Sequence, residues 1–259
     1  MPGLIGENPA HLRPVDARVG HLREPAPLSI DGSRRRRLIG AGTALALVAG
    51  ALIGWHLLDT PAEIDDVALA GHRSPAAIDV VLLLDESGSF ADYAAVREEA
   101  ISQLTRWAPD NLRPQDTITI IGFADDAVVR LPTATVGSLG AGAPSLIGDP
   151  VDGGGTSIRP ALEQAVSSIA ATGGERTIIA ITDTVVDDAD GASIGVLVER
   201  LHAGTMTVIT PSGTGVGSGW RDAFAWETEL SADPGSAGST SLAIAEALAH
   251  ATGQAVERR

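Results

Sequence analysis

Five oxygen-bearing residues stand out by type and spacing: Asp85, Ser87 and Ser89 in one segment, Thr156 in a second and Asp183 in a third. Two carboxylates and three hydroxyls form a hard-oxygen set. Such a set suits Mg2+, which takes near-octahedral oxygen ligands at about 2.0–2.1 Å and keeps several waters; Mn2+ and Ca2+ are the alternatives. Hydroxyls in place of further carboxylates keep the ion electrophilic, where an all-carboxylate set would quench it, so it can accept a further anionic oxygen from outside. In an extended Asp-x-Ser-x-Ser stretch alternate side chains point to the same side, and Gly88 permits a tight turn there. Each residue taken singly also has an ordinary reading. Ser89 can cap a helix with Asp92 three residues on, Thr156 can cap another with Pro160 in its first turn, and Asp85 and Asp183 can be strand-end acids facing water. Their joint order and placement favour the metal reading.

The elements that must position these residues are legible as apolar runs. Val80–Leu84, Ile118–Ile121, Ile178–Ile181 and Met206–Ile209 are short and do not alternate with polar residues. This suits strands buried on both faces of a parallel sheet. Between them the apolar residues take helical spacing: Tyr93, Val96, Ala100, Leu104 and Trp107; then Ile158, Leu162, Ala165 and Ile169; then Ile194, Leu197 and Leu201, with Gly204 as a C-cap. Leu242 to Ala251 reads as a last helix before Gly253. Asp125-Asp126 separates two strand-like stretches and reads as a hairpin turn, giving one antiparallel edge. Residues 132–155 and 211–240 read as long loops. The fold expected is α/β, a doubly wound, mostly parallel sheet with one antiparallel edge strand. In such sheets ligands collect at the carboxyl ends of the strands, near the switch in strand order. Asp85 and Asp183 end strands there.

The segment Asp85-Glu86-Ser87-Gly88-Ser89-Phe90 after an apolar strand resembles the first part of the metal-ion-dependent adhesion site of von Willebrand factor A domains. Gly155-Thr156 before a helix resembles the second part, and Thr182-Asp183 at a strand end the third. The resemblance covers about residues 77–257. It implies a Rossmann-like six-stranded sheet, metal contacts from Ser87, Ser89 and Thr156, and direct or water-mediated roles for Asp85 and Asp183. It also implies a protein ligand that presents a carboxylate to the metal. One departure concerns the residue after the last Asp: the family often has Gly, and this chain has Thr184.

The N-terminal part reads differently. Residues 1–37 are rich in Pro, Gly, Arg and His and read as a disordered cytoplasmic tail ending in Arg34–Arg37. Leu38–Leu58 is 21 residues without a formal charge. At about 1.5 Å per residue a helix of that length crosses the ~30 Å hydrocarbon core. The preceding arginines place the N-terminus in the cytoplasm and the C-terminal domain outside the cell membrane. A cleaved export signal is the competing reading, with Arg35-Arg36-Arg37-Leu38-Ile39 as a loose twin-arginine motif and Ala68-Leu69-Ala70 as a cleavage site. Gly42, Ala46, Gly50 and Gly54 share one helix face and permit self-association of the transmembrane helix. Residues 59–75 read as a polar stalk, and 76–259 as the domain.

Charge is uneven along the chain. Residues 1–58 hold seven Arg and four acids, whereas residues 59–259 hold 11 Arg and 29 acids. So acidic a domain is a poor partner for nucleic acid. There is no cysteine, which removes disulfides and thiolate chemistry. Gly153–Gly155 lacks a following Lys, so it is not a phosphate-binding loop. Asp187, Asp188 and Asp190 read as a solvated loop and helix N-terminus. A non-enzymatic binding module is expected. A structural membrane scaffold with a degenerate metal site is the alternative, and a metal-dependent hydrolase is the weaker third, for want of a base beside Ser87.

Overall fold

A computed structural model describes residues 63–139, 147–151, 153–168, 174–188, 191–224 and 228–259. The tail, the apolar run Leu38–Leu58 and its small-residue face, residues 59–62, Ile169 and Asp190 lie outside the described residues. Among the described residues no helix is long and apolar enough to cross a membrane.

Among the described residues eight strands and five α-helices follow one another. They are β1 (Val67–Ala70), β2 (Ile78–Asp85), α1 (Ala94–Asn111), β3 (Thr117–Phe123), β4 (Ala127–Thr135), α2 (Arg159–Ser168), β5 (Glu175–Ile181), α3 (Gly191–Leu201), β6 (Ala203–Pro211), α4 (Ser218–Ala223), β7 (Thr228–Ala232), α5 (Ala237–Thr252) and β8 (Ala255–Arg258). Six strands form one sheet in the order β4-β3-β2-β5-β6-β7. Only β4 runs antiparallel, joined to β3 by the turn at Asp125-Asp126. All eight residues of β2 are buried. Its alternate side chains feed two cores. Val80, Leu82 and Leu84 pack with Leu104 and Trp107 of α1 and with Ile244 and Leu248 of α5. Val81 and Leu83 pack with Leu162 of α2, Ile194 and Leu201 of α3 and Trp220 of α4. Burying both faces explains the unbroken apolar run, since each side chain gains about 1.5–3 kcal/mol on leaving water.

The expected sheet and its antiparallel edge are present, with β4 running on to Thr135 into the stretch read as a loop, and four further expectations change. Residues 63–75 are not a stalk. Ile64 and Val67 are fully buried in the α1/α5 core, the Trp107 indole donates to the Val67 carbonyl at 2.9 Å, and β1 pairs antiparallel with β8. The apolar residues there were too few to show a period, so only tertiary packing reveals them. The candidate cleavage site Ala68-Leu69-Ala70 lies within β1, where cutting would remove a paired strand. Residues 211–240 contain α4 and the sixth strand β7, whose pattern is too short and polar to stand out. Helix α3 ends in a left-handed residue at His202, φ 48°, and Gly204 belongs to β6. Gly253 does take the C-cap of α5, at φ 70°.

The switch in strand order falls at β2. The chain passes from β2 to β3 on one side and later returns to β5 on the other. The carboxyl ends of β2 and β5 therefore open a crevice between diverging connections.

Candidate metal centre

Asp85 is the last residue of β2 and is fully buried. Its Oδ1 accepts hydrogen bonds from the Ser87 amide at 3.0 Å and the Ser87 hydroxyl at 2.6 Å. Its Oδ2 accepts from the Thr182 hydroxyl at 2.7 Å. Burial pushes the Asp85 carboxyl above the usual carboxylate range; the Ser87 and Thr182 hydrogen bonds oppose this, and the nearby Asp183 charge adds to it. The Ser87 and Ser89 hydroxyls lie 3.2 Å apart. Ser87 is buried and Ser89 exposed, so the row of oxygens runs from the interior to the rim.

Neither serine side chain caps a helix: Ser87 precedes the 3-10 turn Gly88–Tyr93, but its hydroxyl goes to Asp85 and not to the turn. Ser89 sits inside that turn, and α1 begins only at Ala94. Thr156 is likewise not the cap of α2, which starts three residues later. That role belongs to Asp188, whose carboxylate accepts from the Ile158 and Arg159 amides at 2.8 and 2.9 Å. Of the acids after Asp183, Asp188 thus serves the N-terminus of α2, and Asp187 Oδ2 accepts from the Thr156 amide at 3.4 Å. Thr156 is buried. Its carbonyl accepts from the Asp187 amide at 2.8 Å. The loop before it lies against the first segment: a Cβ on Gly88 would stand 3.3 Å from the Gly154 carbonyl.

Asp183 follows β5, half-buried, and its Oδ1 accepts from the Val185 amide at 2.9 Å. The next residue accounts for the departure noted in the sequence. Thr184 has φ 63°, a left-handed conformation that glycine adopts freely and a β-branched residue does not. Its amide donates to the Thr182 hydroxyl at 3.0 Å, and its own hydroxyl accepts from the Gly217 amide at 2.8 Å. A chain of hydrogen bonds therefore runs from Asp85 through Thr182 and Thr184 to the start of α4. In the sequence Thr182 stands within the motif and Thr184 departs from it, but the roles of both appear only in the fold. The signal was two hydroxyl residues flanking the last acid. Thr184→Ala and Thr184→Gly both leave the Gly217 amide without its acceptor, but only Ala keeps the backbone strain. The Gly variant should be the more stable by about 1 kcal/mol in urea unfolding.

The donor set fits a hard divalent cation. Its oxygens are carboxylate and hydroxyl, Asp85 is oriented by three hydrogen bonds, and Asp183 adds a second negative charge close by. The structure brings Asp85, Ser87 and Ser89 into direct contact. Thr182 fastens Asp85 to the end of β5, where Asp183 follows, and the Gly88–Gly154 approach brings the Thr156 loop alongside.

Residues 80–185 match the family model described as the von Willebrand factor type A domain. No curated protein matches the chain by sequence. Among solved structures, proximal thread matrix protein 1 from the mussel byssus is similar at 16% identity and TM-score 0.52, over 74% of this chain and 50% of that one. The same mussel protein, in a structure titled as having a zinc-occupied MIDAS motif, is similar at 15% identity and TM-score 0.52, over 74% of this chain and 50% of that one. A von Willebrand factor type A protein from Catenulispora acidiphila is similar at 19% identity and TM-score 0.50, over 69% of this chain and 50% of that one. The chain spans about half the length of these solved chains, and at such identities the likeness is one of fold.

Proposed function

We propose that this chain binds a protein ligand through a divalent cation, Mg2+ by the chemistry of its ligands, held by Asp85, Ser87, Ser89, Thr156 and Asp183. The observation that carries the reading is the convergence of the first segment on a buried, hydrogen-bonded Asp85 at the switch point of the sheet. The family match over residues 80–185 spans all five residues, and the mussel protein's zinc-occupied motif supports a metal in this kind of fold. When bound, the cation supplies an electrophilic centre for an oxygen of the partner. The rest is done by the chain: Thr182 and the Ser87 amide orient Asp85, and exposed Ser89 marks the rim at which a ligand arrives.

The partner presents a lone carboxylate rather than a polyanion, because residues 59–259 carry 29 acids against 11 Arg. Binding rather than catalysis is the reading, since the Ser87 hydroxyl is engaged with Asp85 and Ser89 and, among the described residues, its hydrogen bonds reach no imidazole. We further propose that Leu38–Leu58 anchors the domain on the outer side of a membrane as a single-pass helix, with its Gly/Ala face available for self-association. An array of peptides with one Asp or Glu, each paired with its Asn or Gln counterpart, tests the main claim. The chain should retain the acidic peptides in Mg2+, release them in EDTA and ignore the amides. Retention that survives EDTA would overturn it.

A further inference from the structure

The residue between Asp85 and Ser87 is an acid that the metal reading does not use. Glu86 turns away from the rim and is 6% exposed. A Cβ on Gly122 of β3 would collide with its carboxylate, so the glycine keeps that space open. Glu86 Oε1 pairs with the Arg130 guanidinium and lies 3.6 Å from Arg97 Nε. Its Oε2 accepts from the Val151 amide at 2.6 Å. Arg130 on β4 is 2% exposed. Its Nε donates to the Gly148 carbonyl at 2.7 Å, while the Gly148 amide donates back to the Arg130 carbonyl at 2.7 Å. Its outer nitrogens fork onto Glu98 of α1 at 3.0 and 2.8 Å.

The pair therefore grips one segment at two points, Gly148 and Val151, just before Gly153-Gly154-Gly155-Thr156. Three successive glycines lose much backbone entropy when ordered and contribute no side-chain packing. Within the loop the Gly154 amide donates to Asp125 Oδ2 at 3.0 Å; the rest of the path is set from the flanks. Downstream, the Ser157 amide donates to the Ala124 carbonyl at 2.6 Å; upstream, the anchor is Glu86–Arg130. A buried ion pair is costly to desolvate, and a well-packed apolar pair would fill the same space without that cost. What the charges add is direction: Glu86 ties the first metal-site segment to the approach of the second.

We propose that Glu86 and Arg130 are positioning residues for the metal centre, fixing the 148–151 segment so that Thr156 is delivered beside Asp85, Ser87 and Ser89. This rests on the divalent-cation reading above. The test is Mg2+ alone, titrated by calorimetry into the wild-type chain, the Glu86→Gln/Arg130→Met double variant, Thr156→Ala, and all three changes combined. The double variant removes both charges of the pair together, and the amide introduced at position 86 retains an acceptor for Val151 and Arg97; urea unfolding without metal checks that the variant folds. Substitution of residues that orient metal ligands costs about 10–100-fold in affinity, and that loss is expected for the double variant. In the Thr156→Ala background the same two changes should weaken affinity by less than about threefold, because the residue they position is gone. An equal loss in both backgrounds, or none in either, overturns the positioning role while the cation reading stands. A wild-type chain that binds no Mg2+ overturns both.

Discussion

Replacing Asp85 by Asn is expected to abolish the stabilisation that Mg2+ confers while leaving the metal-free protein at least as stable as before. Asp85 is fully buried, and burial is the largest influence on its carboxyl, raising its pKa, with the Asp183 charge acting in the same direction. A carboxyl whose pKa is raised on folding binds its proton more tightly in the folded than in the unfolded chain. Holding it ionised at neutral pH without a cation therefore costs stability, and a neutral amide of the same shape removes that cost. A bound divalent ion inverts this logic, because the ion's own charge becomes the largest in the site. At free Mg2+ near 100 times its Kd, the wild-type chain gains about 2.7 kcal/mol. For a domain of this size that is a rise of roughly 5–10 °C in Tm. The Asn variant should show none of it. Thermal melts of both proteins, in Mg2+ and in EDTA, make the comparison. A magnesium shift that persists in the variant would remove Asp85 from the ligand set.

Asp116→Ala should cost about 3–5 kcal/mol of stability, far from any metal chemistry. Asp116 is fully buried. It takes both Arg73 Nη groups at 2.7 Å and also accepts from the Ile78 amide at 3.0 Å and the Arg113 amide at 2.7 Å. Removing it strands the buried Arg73 guanidinium and two backbone amides. Breaking a buried pair from one side carries a cost of that size because the surviving charge is left without a partner or water. Arg73 lies in the segment that leads from β1 into β2, so the prediction also measures how firmly residues 63–75 are built into the domain. Urea unfolding by far-UV circular dichroism gives the number. A loss under about 1 kcal/mol, the size of an ordinary surface contact, would mean that this segment is loosely attached after all.

The parts of the protein that a short stretch of chain can encode were readable directly. Val80–Leu84 and Ile178–Ile181 are strands because an unbroken apolar run of that length fits a doubly covered sheet. Leu104 and Trp107 sit on the buried face of α1 because helical spacing puts them there. The spacing Asp85-x-Ser87-x-Ser89 brings one carboxylate and two hydroxyls together at the end of β2. What escaped the sequence is what depends on residues far apart in the chain. Ile64 and Val67 look like isolated apolar residues until α1 and α5 close over them. Glu86 looks like a spacer until Arg130, 44 positions away, meets it. Thr182 becomes a partner of Asp85 only when β5 is laid beside β2, 97 positions on. Local pattern fixes which face of an element is apolar and which polar residues share a turn. The pairing of strands fixes which buried charge meets which, because desolvation makes each buried polar group depend on one particular partner that only the folded chain supplies.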